Sequence, residues 1–129
     1  MKIIYTLILV LFLQLLCYSQ EQQVCSKTYE YLFVDEIPVF EAKETKFKDF
    51  IDNNIQLPEK FFADDKVLVS FVIDENGDVD EIKILKSNTL LYNDAIKTVL
   101  SSMPTWRPGK LNGKFVRVRL YLELIFKIE

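Results

Sequence analysis

The sequence predicts an α+β fold, a three-stranded antiparallel sheet with two helices packed on one face. Three observations predict it. Asn76-Gly77 separates two apolar runs of strand length, two other segments carry apolar residues at helical spacing, and the last stretch alternates apolar and polar residues to the end of the chain. The resulting order is helix, strand, turn, strand, helix, strand. With a single apolar sheet face, both helices have to cover that face.

The first helix opens at Thr45. Phe47, Phe50, Ile51 and Ile55 fall on one side of a helical turn, while Lys46, Lys48, Asp49, Asp52 and Asn53 take the other. Asn53-Asn54 and Pro58 end it. Val67 to Ile73 is β-branched and aromatic, and Val79 to Leu85 is its hairpin partner across the Asn-Gly turn, where both residues tolerate positive φ. Ser87, Asn88 and Thr89 offer caps for the second helix, in which Leu91, Ala95, Val99 and Met103 repeat every four residues with Ile96 and Leu100 on the flank. Pro104 stops it. Trp106, the only tryptophan, is expected as a core residue under a turn.

The last strand has two faces. Val116, Val118, Leu120, Leu122, Leu124, Phe126 and Ile128 point to the helices, and Phe115, Arg117, Arg119, Tyr121, Glu123, Ile125 and Lys127 point away. Upstream, Asp35 to Phe40 is extended because the residue before Pro38 is driven out of the helical region. Tyr29 to Val34 is an aromatic and aliphatic run that either pairs as a peripheral strand or packs over the core.

Three segments follow: an export signal over residues 1–19, a flexible segment over 20–34 and a domain over 35–129. Lys2 precedes an apolar run from Ile3 to Leu16 that is shorter than the roughly 20 residues of a membrane span and has signal-peptide length. Cys17 and Ser19 fit a cleavage site that leaves Gln20 first. Acylation of Cys17, against which the bulky Leu16 argues, and retention as an anchor are the alternatives.

The chain has 16 basic and 19 acidic residues, and no basic cluster of the kind that grips phosphates. Nucleic acid is therefore excluded as a partner. There is no histidine for general-base or metal work, no Gly-rich phosphate loop and no nucleophile beside a recognisable base. Catalysis is not expected, and nothing calls for a cofactor or metal. The acidic run from Asp74 resembles a calcium loop, but Val79 and Leu85 stand where Gly and Glu are needed. Cys25, alone after cleavage, forms no disulfide framework.

A sheet of this kind has exposed edges, and edges recruit strands. If the last strand lies at one, its main chain can bind an extended peptide. The candidate partner-binding residues are Val116, Arg117, Val118, Arg119, Leu120, Tyr121, Leu122 and Glu123. Of these, Arg117, Arg119, Tyr121 and Glu123 read the peptide's side chains or simply keep the outer face soluble.

The motifs Asp35-Glu36-Ile37-Pro38-Val39-Phe40, Asn54-Ile55-Gln56-Leu57-Pro58 and Val69 to Val79 occur in order, followed by Ser87, Asp94-Ala95, Met103-Pro104, Trp106, Pro108-Gly109, Asn112-Gly113-Lys114 and Val116. In this the chain resembles the TonB C-terminal domain, in the version common in Bacteroidetes. The resemblance implies a module of the Gram-negative periplasm or cell envelope. Such a module grips an extended N-terminal segment, the TonB box, of a TonB-dependent outer-membrane receptor or of another envelope protein. Leu57-Pro58 stands where many relatives have Tyr-Pro, and Glu41-Ala42-Lys43 where many have Pro-Gly-Gly. The alternatives are a short membrane-anchored energy transducer and a strand-swapped homodimer. Membrane contact is expected only if the N-terminal segment is retained.

Overall fold

The computed structural model describes residues 1–18, 27–42, 46–58 and 64–127. The Ser19–Gln20 junction, Cys25, Thr45 and Ile128, on which sequence expectations fall, lie outside the described residues. Helix α1 spans Lys2–Tyr18, and residues 1–15 are exposed all round. No helix among the described residues is long and apolar enough to cross a membrane.

The remaining elements are strand β1 (Thr28–Glu30), a 3-10 turn (Tyr31–Phe33), helix α2 (Phe47–Asn54), strands β2 (Asp65–Ile73) and β3 (Val79–Lys86), helix α3 (Asn93–Ser101), and strands β4 (Gly109–Leu111) and β5 (Lys114–Phe126). The strand order is β1-β5-β2-β3, with β4 paired to β5 as well. β2, β3 and β5 are the three expected antiparallel strands. The sheet is nevertheless larger and mixed, because β1 pairs with β5 in parallel and β4 forms a second hairpin with it. β1 and β4 have only three residues each, too few for periodicity to reveal them. β1 also lies upstream of Asp35, the expected start of the domain.

One face of the sheet holds the core. Val67, Val69, Phe71 and Ile73 of β2, with Ile82 and Ile84 of β3 and Leu120, Leu122, Leu124 and Phe126 of β5, meet Ile51 of α2 and Ile96, Val99 and Leu100 of α3. Both helices thus cover one side, as the amphipathic spacing requires. Trp106 packs edge-on against Phe40, Phe47 and Phe71 at centroid distances of 5.3, 5.1 and 5.8 Å. Its backbone N–H donates to the Gly77 carbonyl at 2.8 Å, so the tryptophan lies under the β2–β3 turn.

The two Asn-Gly pairs make different turns. Asn112 and Gly113 both have positive φ, 52° and 75°, the two-residue hairpin geometry. At Asn76-Gly77 only the glycine does, at 86°. There the Asp74 carboxylate accepts from the N–H groups of Asn76 and Asp78, both at 2.9 Å. The Gly77 N–H bonds to the Asp74 carbonyl, giving a three-residue loop closed by a left-handed glycine. A Cβ at Gly77 would lie 2.0 Å from the Trp106 carbonyl oxygen.

α3 starts later than its apolar spacing suggests. Asp65, buried at the start of β2, accepts from the N–H groups of Asn88 (3.0 Å) and Thr89 (3.2 Å). That holds the would-be caps in a turn and leaves Leu91 exposed before the helix begins. Burial pushes the Asp65 carboxyl up, but the N–H groups of Asn88, Lys66 and Thr89 together outweigh it and hold it below its ordinary value.

Candidate functional site: the edge of the C-terminal strand

β5 pairs with β2 from Val118 to Phe126. The structure divides the eight candidate residues by what lies on the strand's other side. Val116 is paired with Gly109, and Arg117, Val118 and Arg119 are paired with Thr28, Tyr29 and Glu30 of β1. Val118 and Arg119 therefore sit between two strands. This corrects the expectation that the whole stretch lies at an edge: the short β1 closes its first half. Leu120, Tyr121, Leu122 and Glu123 have β2 as their only strand partner among the described residues, and so do Leu124, Ile125 and Phe126.

The outward side chains expected to read a peptide are engaged within the chain. Arg117 Nη2 lies 2.9 Å from Asp80 and 3.5 Å from Glu81. Arg119 lies between Glu30 (3.4 Å) and Glu81 (3.2 Å), and the Tyr121 hydroxyl donates to Glu30 Oε2 at 2.7 Å. Glu123 meets Lys66 at 3.3 Å. Through Arg119 these contacts link β1 to β3 across β2, where Val72, the register partner of both Arg119 and Asp80, is fully buried. The hydrogen bond from Arg117 holds the Asp80 carboxyl below its ordinary value, and the Glu30 carboxylate raises the Tyr121 hydroxyl.

A bulge lets two consecutive carboxylates meet these arginines. Between the pairs Ser70–Lys83 and Val72–Asp80, β3 carries one extra residue. Glu81 there adopts φ 46°, left-handed for a residue with a side chain. Asp80 and Glu81 then reach the same guanidinium. Strict alternation places them on opposite faces, so no pattern in the sequence announces this network.

Beside the open half of β5 runs a groove of about 410 Å³. Leu122, Leu124 and Phe126 line it on the strand side, and Ile51, Ile55 and Leu57 on the side of α2, with Lys48 and Asp52 also at its wall. Sequence reasoning left α2 out of the site. Its apolar stripe read as core alone, and the same residues that fill the core also border the groove. The described residues contain no cluster of side chains fit to hold a metal ion.

None of the curated proteins compared with the chain matches it. The family model for the Gram-negative bacterial TonB protein C-terminal region matches residues 63–128, from just before β2 to beyond β5 and a little over half of the chain. That family consists of protein-interaction domains of the Gram-negative cell envelope, tied to TonB-dependent transport. The matched stretch holds the hairpin, the capping helix and the long last strand around which the site is built, and the chain belongs to the TonB C-terminal family.

Proposed function

We propose that this protein is a non-catalytic binding module of the periplasm, and that it takes an extended segment of a TonB-dependent outer-membrane receptor, or of another envelope protein, as an added strand on β5. The observation that carries the reading is the seven-residue stretch Leu120–Phe126, which among the described residues has a strand on one side only, beside an apolar groove. An incoming strand completes the ladder with main-chain hydrogen bonds, and every second side chain drops towards Leu122 and Leu124. β3, at the other end of the strand order, suits this less well. Its bulge at Glu81 and its charged Asp80, Lys83 and Lys86 are devices that blunt an edge. In this reading residues 1–19 serve export, and the working domain begins near Asp35 with β1 as an addition to it.

The test is calorimetric titration with synthetic N-terminal segments of TonB-dependent receptors. Leu57→Asp, in the groove wall, is expected to weaken binding about tenfold, roughly 1–2 kcal/mol. Leu90→Asp, at an exposed site in the β3–α3 connection, leaves it unchanged. Equal affinity of both variants and the parent would remove the groove from the site. Methylating every second amide nitrogen of the peptide abolishes binding in one of the two possible phases if a strand is added, and unchanged affinity in both phases contradicts strand addition.

A further inference from the structure

β1 covers the half of the edge that adjoins the open half, and its hold is slight. It has three residues where a strand commonly has about five or six, and all three are only half-buried. Its pairing is parallel, the less stable arrangement per residue. Its ion pair, Glu30 with Arg119, joins side chains 39% and 26% exposed, a class worth little. The turn that follows leaves Leu32 and Phe33 more than two-thirds exposed, while its Tyr31, itself 39% exposed, packs edge-on against Tyr121 at 6.2 Å.

β1 also displays what this edge accepts. Thr28 Oγ1 takes a hydrogen bond from Arg117 Nε at 3.3 Å, Tyr29 sits opposite Val118, and the Glu30 carboxylate lies between Arg119 and the Tyr121 hydroxyl. A strand continuing in this register would place its next residues opposite Leu120, Tyr121 and Leu122, where β1 instead turns away.

Resting on the strand-addition reading, we propose that β1 is a built-in competitor for the partner's place. The partner segment displaces it, runs along β5 from Arg117 to Phe126, and sets a carboxylate of its own where Glu30 lies. The partner is thus an extended segment that carries an acidic residue near its start and apolar residues at every second position after it. The acidic residue is selected because displacement of β1 strips Arg119 and Tyr121 of a charged partner, which the newcomer restores.

The probe is the peptide Lys-Thr-Tyr-Glu-Val-Thr-Val-Thr-Val-Thr, which copies β1 and then alternates across the open half, titrated against the full chain by fluorescence anisotropy. Tyr29→Pro puts into the middle of β1 a residue that a paired strand tolerates poorly, and Glu30→Ala removes its carboxylate. Tyr29→Pro is expected to tighten binding roughly tenfold or more if β1 is in place nine-tenths of the time or longer, and Glu30→Ala by up to about fivefold. A peptide with Gln for Glu binds more weakly to the Tyr29→Pro chain, and Arg119→Ala removes that difference. Melting temperatures establish that each variant is folded.

Equal affinity of the parent and both detached variants overturns the competitor while leaving strand addition on the open half standing. Failure of every folded form to bind overturns strand addition itself and the competitor with it. A Glu-to-Gln difference that persists in Arg119→Ala overturns the assignment of the partner's carboxylate to the place of Glu30.

Discussion

The two halves of β5 have the same alternating composition and different surroundings. In the first, Arg117, Val118 and Arg119 are paired with β1 and their outward side chains are tied to Asp80, Glu81 and Glu30. In the second, from Leu120 to Phe126, the inward leucines still pack against the core, yet the far side of the backbone has no strand among the described residues. Alternation therefore specifies which face of a strand is buried, and says nothing about which of its sides is paired. The first is local side-chain chemistry; the second depends on whether a distant three-residue segment reaches it.

The largest effect expected of this contrast is on stability. Val118→Asp puts a charge at a fully buried position between two strands and is expected to cost roughly 3–5 kcal/mol of a typical ~5–15, enough to unfold a marginal domain. Ile125→Asp, on the open half and 60% exposed, is expected to cost less than about 0.5 kcal/mol. Urea denaturation of both variants measures the difference, and similar midpoints would contradict the burial of Val118 between β1 and β2.

Gly77→Ala comes next. The left-handed backbone alone costs roughly 1–2 kcal/mol with a side chain, and the new methyl meets the Trp106 carbonyl. The matching change at Gly113, where a Cβ would meet nothing within 4 Å, carries only the backbone cost. A larger drop in melting temperature for Gly113→Ala than for Gly77→Ala would contradict the docking of Trp106 on the hairpin.

Acid sensitivity is a smaller effect and sits at the far end of the open half, where Asp65 is the register partner of Phe126. Its carboxyl titrates below the ordinary 3.8 in the folded chain. The folded state therefore binds its proton less readily than the unfolded one, so this contribution is full above 3.8 and fades as pH falls through the lower folded value. Asp65→Asn is expected to be less stable at neutral pH and to show a shallower loss between pH 4 and 2, followed by thermal melts across that range. Parallel profiles would remove Asp65 from the acid transition.

Glu30→Ala is expected to have a small effect on stability, about 0.2–1 kcal/mol, because the ion pair it breaks is partly exposed. A loss comparable with that of Val118→Asp would make β1 an integral strand.

Much of this architecture was legible in the sequence. The stripe Phe47, Phe50, Ile51 and Ile55 and the period of two in β5 each encode a buried face through spacing alone, and the stripe and Leu120, Leu122, Leu124 and Phe126 lie in or against the core as read. The hairpin at Asn76-Gly77 was also legible, but not its loop type, since Asp74 captures two N–H groups that a two-residue turn leaves alone. The late start of α3 was hidden because Asp65 acts on Asn88 and Thr89 from more than 20 residues away. The candidate site was half legible. Alternation predicts the faces of Leu120 to Glu123 but not their unpaired side, the cover over Arg117 to Arg119 depends on Thr28 to Glu30, and the left-handed Glu81 breaks a pattern that otherwise predicts its face.

The most direct test of the central claim is an NMR titration of the isotopically labelled protein with the N-terminal segment of a TonB-dependent receptor. Strand addition to the open half predicts the largest amide shifts from Leu120 to Phe126, smaller ones in α2, and slower hydrogen exchange along β5 in the complex. Shifts concentrated on β3, or exchange along β5 that the peptide leaves unaltered, would contradict it.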